Sequence, residues 1–141
     1  MKNFFAVRIF PNDVDVILFL TRLVCGFAFI LHGWGKIQNP FHWMGADAPV
    51  PSILQFLAAL SEFGGGIAWI VGLLTRLGGF GITCTMAVAV TMHFLVMHDP
   101  FVNPTGGSSY ELASVYFLVA LLFTTAGPGK YSLDRMFFGT K

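Results

Sequence analysis

Residues 14–34 read VDVILFLTRLVCGFAFILHGW, an almost unbroken apolar run with Arg22 near its middle and His32 near its end. A helix needs about 20 apolar residues to cross a bilayer, so this run is long enough to do so. It is not read as a cleaved leader, because it holds an arginine, lacks a small-residue A-x-A pattern and continues into a Trp-containing segment. Three more stretches share its character: residues 52–74, 77–97 and 110–126. None of the four alternates with period two, which favours helices over a membrane β-barrel.

The composition agrees. Of the 141 residues 55% are hydrophobic and 11% charged, against about 25% charged in a soluble domain, too few to coat a globule. The same figures exclude a disordered chain. A net charge of +1 argues against a nucleic-acid binder, which normally shows a basic face. The expectation is a single transmembrane domain over residues 1–141: an all-α, integral membrane four-helix bundle surrounded by lipid.

Basic residues orient it. Lys2, Arg8, Arg76, Lys130, Arg135 and Lys141 fall on one side of the four spans and only Lys36 on the other. By the positive-inside rule both termini are cytoplasmic. Thr75-Arg76 is read as a tight turn, making spans two and three antiparallel neighbours. The two longer connections then face outward. Residues 38–51 carry Phe41, His42 and Trp43, which suit the headgroup layer, and residues 98–109 read HDPFVNPTGGSS, a turn-forming composition.

Gly64, Ala68 and Gly72 recur every fourth residue, a spacing that lets helices approach closely. Cys25 and Cys84 form no CxxC pair and are read as two buried thiols.

Chemistry is sought among the ionisable groups inside the spans, because each costs about 2.5–3.5 kcal/mol at a membrane helix centre and calls for compensation. From the helical rise, Arg22 lies roughly 12 Å from the cytoplasmic end, Glu62 roughly 18 Å, and Glu111, His93 and His32 roughly 22 to 27 Å. The expected central pair is therefore Arg22 with Glu62, a guanidinium fork on a carboxylate. That pair could serve chemistry, or simply lock the bundle. On span one, Arg22, Gly26, Phe29 and Gly33 share a face; on span two, Gln55, Glu62, Gly66, Trp69 and Leu73 do.

Glu111 with His32 and His93 forms the candidate ligand or proton site, readable as a proton relay, a quinone-headgroup site or a His/carboxylate metal site. Each histidine could instead bond a backbone carbonyl or a lipid headgroup near the outer surface. No metal is expected: His93 and His98, five apart, do not share a helical face, and no local ligand pair occurs. No GxSxG elbow or nucleotide fingerprint is present, so no catalytic residue is assigned.

Taken together, three blocks of residues resemble the DoxX-like family of small four-span bacterial membrane proteins. The first is Arg22, Gly26, Phe29, His32-Gly33 and Lys36. The second is Glu62, Gly65 and Gly72 with Leu73, Leu74, Thr75 and Arg76. The third is Tyr110-Glu111, Gly127-Pro128-Gly129 and Ser132-Leu133-Asp134. The resemblance implies a four-helix bundle in the bacterial inner membrane. It also implies a link to oxidoreductase assemblies, since the family takes its name from a subunit type associated with a thiosulfate:quinone oxidoreductase. The expectation is a membrane subunit of a redox system, with quinone as the possible cofactor and a protein partner or second copy in the membrane. The alternative is a non-catalytic subunit that stabilises a larger complex. A third reading, solute transport, would require an oligomer, because four spans without an inverted repeat leave a monomer little room.

Overall fold

The computed structural model describes residues 2–45 and 48–141. Its helices are α1 (Lys2–Phe5), α2 (Asn12–Gln38), α3 (Ser52–Val71), α4 (Thr75–Thr91), α5 (Glu111–Thr125) and α6 (Leu133–Phe138). A π-helical turn, Met92–Val96, extends α4. Among the described residues the only β pairing is an isolated bridge between Val7 and Thr140, which ties the two ends of the chain together. Three helices are long and apolar enough to cross a membrane: α2, α3, and α4 with its π turn. The fourth apolar helix, α5, has 15 residues and is roughly 22 Å long.

Each long helix packs on the next in chain order, α2 on α3, α3 on α4 and α4 on α5. Their polarity is arranged for lipid. On α2 the large apolar residues Ile17, Leu20, Val24, Phe27, Leu31 and Trp34 are exposed, while Leu18, Arg22, Gly26, Phe29 and Gly33 are buried. Both sets recur every three or four residues, so one stripe faces lipid and the other the bundle. On α3 the buried stripe is Gln55, Ala59, Glu62, Gly65, Gly66 and Trp69.

Aromatic side chains fill the centre. Phe29 meets the edge of Trp69 at 5.5 Å and lies 4.8 Å from Tyr116, joining α2 to both α3 and α5. Trp69 meets Phe123 at 4.8 Å and donates its indole N–H to the Thr75 carbonyl at 3.3 Å.

Glycines set the helix register. A Cβ on Gly33 would stand 2.5 Å from the Phe63 nitrogen, and one on Gly26 would stand 2.8 Å from the Gly66 oxygen. Gly65 lies in the same way against Ile82 and Gly78 of α4. The close seam therefore runs through Gly65 and Gly66, whereas Gly64 meets only Leu60 of its own helix.

The α3–α4 corner comes earlier than the sequence suggests. α3 ends at Val71 because Gly72 adopts φ +69°, and Leu74 also has a positive φ, 53°. Thr75 and Arg76 are already helical.

Candidate functional site

Arg22 and Glu62 are both buried, and they do not pair. Along the α2–α3 seam Gly33 lies against Phe63, while the Arg22 guanidinium lies against Gly72. Eleven residues of α2 separate Arg22 from Gly33, roughly 16 Å along the axis. No arginine side chain spans that distance. Arg22 instead donates to the Tyr131 carbonyl beyond α5, and its guanidinium stands 5.7 Å from the centre of the Phe19 ring.

Asp134 organises this end of the molecule. Its two oxygens accept from the backbone N–H groups of Leu74 at 2.6 Å and Thr75 at 2.9 Å. Its own N–H donates to the Gly72 carbonyl at 2.8 Å. These contacts satisfy donors that the start of α4 would otherwise leave bare. Asp15, fully buried, accepts from the Lys130 N–H at 3.0 Å. Arg76 donates to the carbonyls of Thr124, Thr125 and Ala126 at 2.7 to 3.0 Å, a cation on the exposed end of α5. Arg22, Asp134, Asp15 and Arg76 thus tie the end of α5 and the segment after it to the bundle.

The partner of Glu62 is Lys36. The ammonium meets Glu62 Oε1 at 2.6 Å and stands 4.5 Å from the centre of the Trp43 ring. Trp43 in turn donates to the Gln55 carbonyl at 2.9 Å. The Gln55 side chain accepts from Met44 N–H at 3.1 Å and donates to the Val50 carbonyl at 2.9 Å, tying both to α3. Glu62 is 2% exposed, and its second oxygen, Oε2, has no hydrogen-bond partner among the described residues.

Among the described residues no hydrogen bond or ion pair joins Glu111, His32 and His93 to one another. Glu111 is exposed at the first turn of α5, where its charge favours the helix N-terminus. His32 is exposed on α2, its ring 6.1 Å from that of Tyr116. His93 lies in the π turn with Nδ1 2.6 Å from Asp99 Oδ2. Among the described residues no group of three His, Cys, Asp or Glu could hold a metal ion.

Sequence reasoning missed Lys36 as an intramembrane partner, yet the signal was present. Lys36 continues the stripe of Arg22, Gly26, Phe29 and Gly33 by three residues, so it lies on the same face, near the C-terminal end of α2. The roles of Asp134, Asp15 and Asp99 had no such periodic signal.

The DoxX family model matches residues 17–99, which contain Arg22, Lys36, Glu62 and the α3–α4 corner. The chain belongs to the DoxX family. It is 34% identical over 119 residues to an uncharacterised protein of Haemophilus influenzae, covering 83% of this chain and 87% of that one. It is 32% identical over 128 residues to the inner membrane protein YqjF of Escherichia coli, covering 86% and 92%. No solved structure matches it. This DoxX protein is a multi-pass protein of the bacterial inner membrane, as its relative's location and its three membrane-length helices indicate.

Proposed function

We propose that this DoxX protein is a subunit of an inner-membrane redox system. It crosses the membrane four times with both termini in the cytoplasm, and its Lys36–Glu62 pair forms a hydrogen-bonding and proton-exchanging site for a quinone-like headgroup. The observation that carries this reading is the buried, unpartnered Glu62 Oε2. A buried acceptor left unsatisfied costs about 1–3 kcal/mol, more for a charged group, so a ligand or proton that satisfies it is favoured there. The donor set fits a quinone: an ammonium can donate to a ring carbonyl, a carboxylate can accept from a ring hydroxyl, and the Trp43 indole covers the ammonium. A bound quinone would supply the electron-carrying chemistry that these side chains lack. Lys36 orients Glu62, and Glu62 holds or releases a proton at Oε2. The reading rests on the bonded pair Lys36 and Glu62 rather than on Glu111, His32 and His93, with Arg22 as an anchor.

The test is quinone content after gentle solubilisation, read by extraction and chromatography. The wild type should retain quinone, Glu62→Gln should lose most of it, and exposed Glu111→Gln should keep it. Absence of quinone from the wild type, with membrane electron transfer unchanged by Glu62→Gln, would overturn the reading.

A second reading, a non-catalytic subunit that stabilises a larger membrane complex, is favoured by the basic end. There Arg22, Arg76, Asp15 and Asp134 all bind backbone groups of the chain itself. It would gain from a partner of fixed stoichiometry that dissociates when the chain is removed, with no quinone retained.

A further inference from the structure

At the end of the bundle where the termini meet, a cavity of about 460 Å³ opens between the last turn of α3 and the segment after α5. Its walls are Val71, Tyr131, Leu133 and Met136, with Lys130, Ser132 and Arg135 supplying the polar atoms. No carboxylate lines it. Two acids bonded beside it are engaged elsewhere: Asp134 is turned inward onto the Leu74 and Thr75 N–H groups, and Asp15 is buried on the Lys130 N–H. The Arg135 guanidinium makes no hydrogen bond or ion pair among the described residues. Lys130 reaches the Asn12 side-chain oxygen and stands 4.9 Å from the centre of the Tyr131 ring.

The position of the cavity matters as much as its charge. Val71 is the last residue of a membrane-length helix, so the cavity opens where hydrocarbon gives way to headgroups. Beside it α6 exposes Met136 by 77% and Phe137 by 68%, which suits a short helix lying at the membrane surface. A soluble anion would use the two cations and leave these apolar walls wet. A phosphodiester that carries acyl chains uses both.

We propose that this cavity binds the headgroup of an anionic glycerophospholipid, with Arg135 and Lys130 on the phosphate and Val71, Leu133 and Met136 against the upper acyl chain. Basic pockets at the headgroup level select anionic lipids, and each cation near the surface contributes about fivefold in affinity.

The test is native mass spectrometry of the full chain in mild detergent, with dioleoyl phosphatidylglycerol or dioleoyl phosphatidylcholine added at equal concentration. The wild type should retain phosphatidylglycerol well above phosphatidylcholine. Arg135→Gln should lower phosphatidylglycerol retention about fivefold, and Lys130→Gln with Arg135→Gln about twenty-five-fold, leaving phosphatidylcholine unchanged. Arg135→Lys should restore most of the loss. Because the Arg135 side chain holds nothing in the fold, an unchanged thermal midpoint should accompany the loss. Equal retention of both lipids by the wild type would overturn the proposal, as would full retention of phosphatidylglycerol by the double variant. Displacement of the lipid by excess inorganic phosphate would mark a phosphate site and overturn the lipid assignment.

Discussion

Asp134 shows how one side chain can fix a corner sixty residues away in the chain. The turn between α3 and α4 holds two left-handed residues, Gly72 and Leu74, and the second pays the Cβ penalty that glycine avoids. The Asp134 carboxylate offsets that strain through its bonds to the Leu74 and Thr75 N–H groups. Hydrogen bonds to a charged group contribute about 1.5–3 kcal/mol each. Asp134→Ala should therefore lower the apparent stability of the detergent-solubilised protein by about 3 kcal/mol, read as a fall in thermal midpoint. Asp134→Asn, which keeps one acceptor oxygen, should lose about half as much. An unchanged midpoint for Asp134→Ala would show that the carboxylate does not hold the corner. The sequence marked Asp134 only as part of a family block, because a contact made across so many residues leaves no local spacing to read.

Among the elements, which residues face inward was legible and how far each helix slides was not. The three- and four-residue spacing of Arg22, Gly26, Phe29 and Gly33 identified the buried face of α2, and the spacing of Gln55, Glu62, Gly66 and Trp69 did the same for α3. Periodicity gives rotation about a helix axis and is blind to translation along it. Aligning the ends of the apolar runs puts Arg22 beside Glu62. The observed seam, with Gly33 on Phe63 and Gly26 beside Ile70, shifts that alignment by about two turns and gives Glu62 to Lys36. Two alanine substitutions test the seam. Gly33→Ala must push the Phe63 backbone aside and should cost about 1–3 kcal/mol. Gly35→Ala meets nothing within 4 Å and should stabilise α2 by up to about 1 kcal/mol. Equal thermal midpoints for the two variants would show that α2 and α3 meet in another register.

For the molecule as a whole, the two ends differ in how they treat charge, and this bears on how the chain sits in the membrane. One end gathers Arg8, Arg76, Lys130, Arg135 and Lys141, the other has Lys36 drawn down onto Glu62. A charge bias of this kind orients a membrane protein with the basic end in the cytoplasm. The weak point of a four-crossing topology is α5, which at roughly 22 Å is shorter than the ~30 Å hydrocarbon layer. A short span is accommodated by local thinning of the bilayer or by flanking residues that reach the interface. Arg76, bound to the carbonyls at the end of α5, and Tyr110 just before its start are placed to do so. Single cysteines decide the matter in a chain carrying Cys25→Ser and Cys84→Ser. With a membrane-impermeant maleimide applied to intact spheroplasts, Thr105→Cys in the loop before α5 should react at once. Arg135→Cys beyond α5 should react only after permeabilisation. Reaction of both in intact spheroplasts would mean that α5 does not cross, and the reverse pattern would turn the protein over and place Lys36 and Glu62 on the cytoplasmic side.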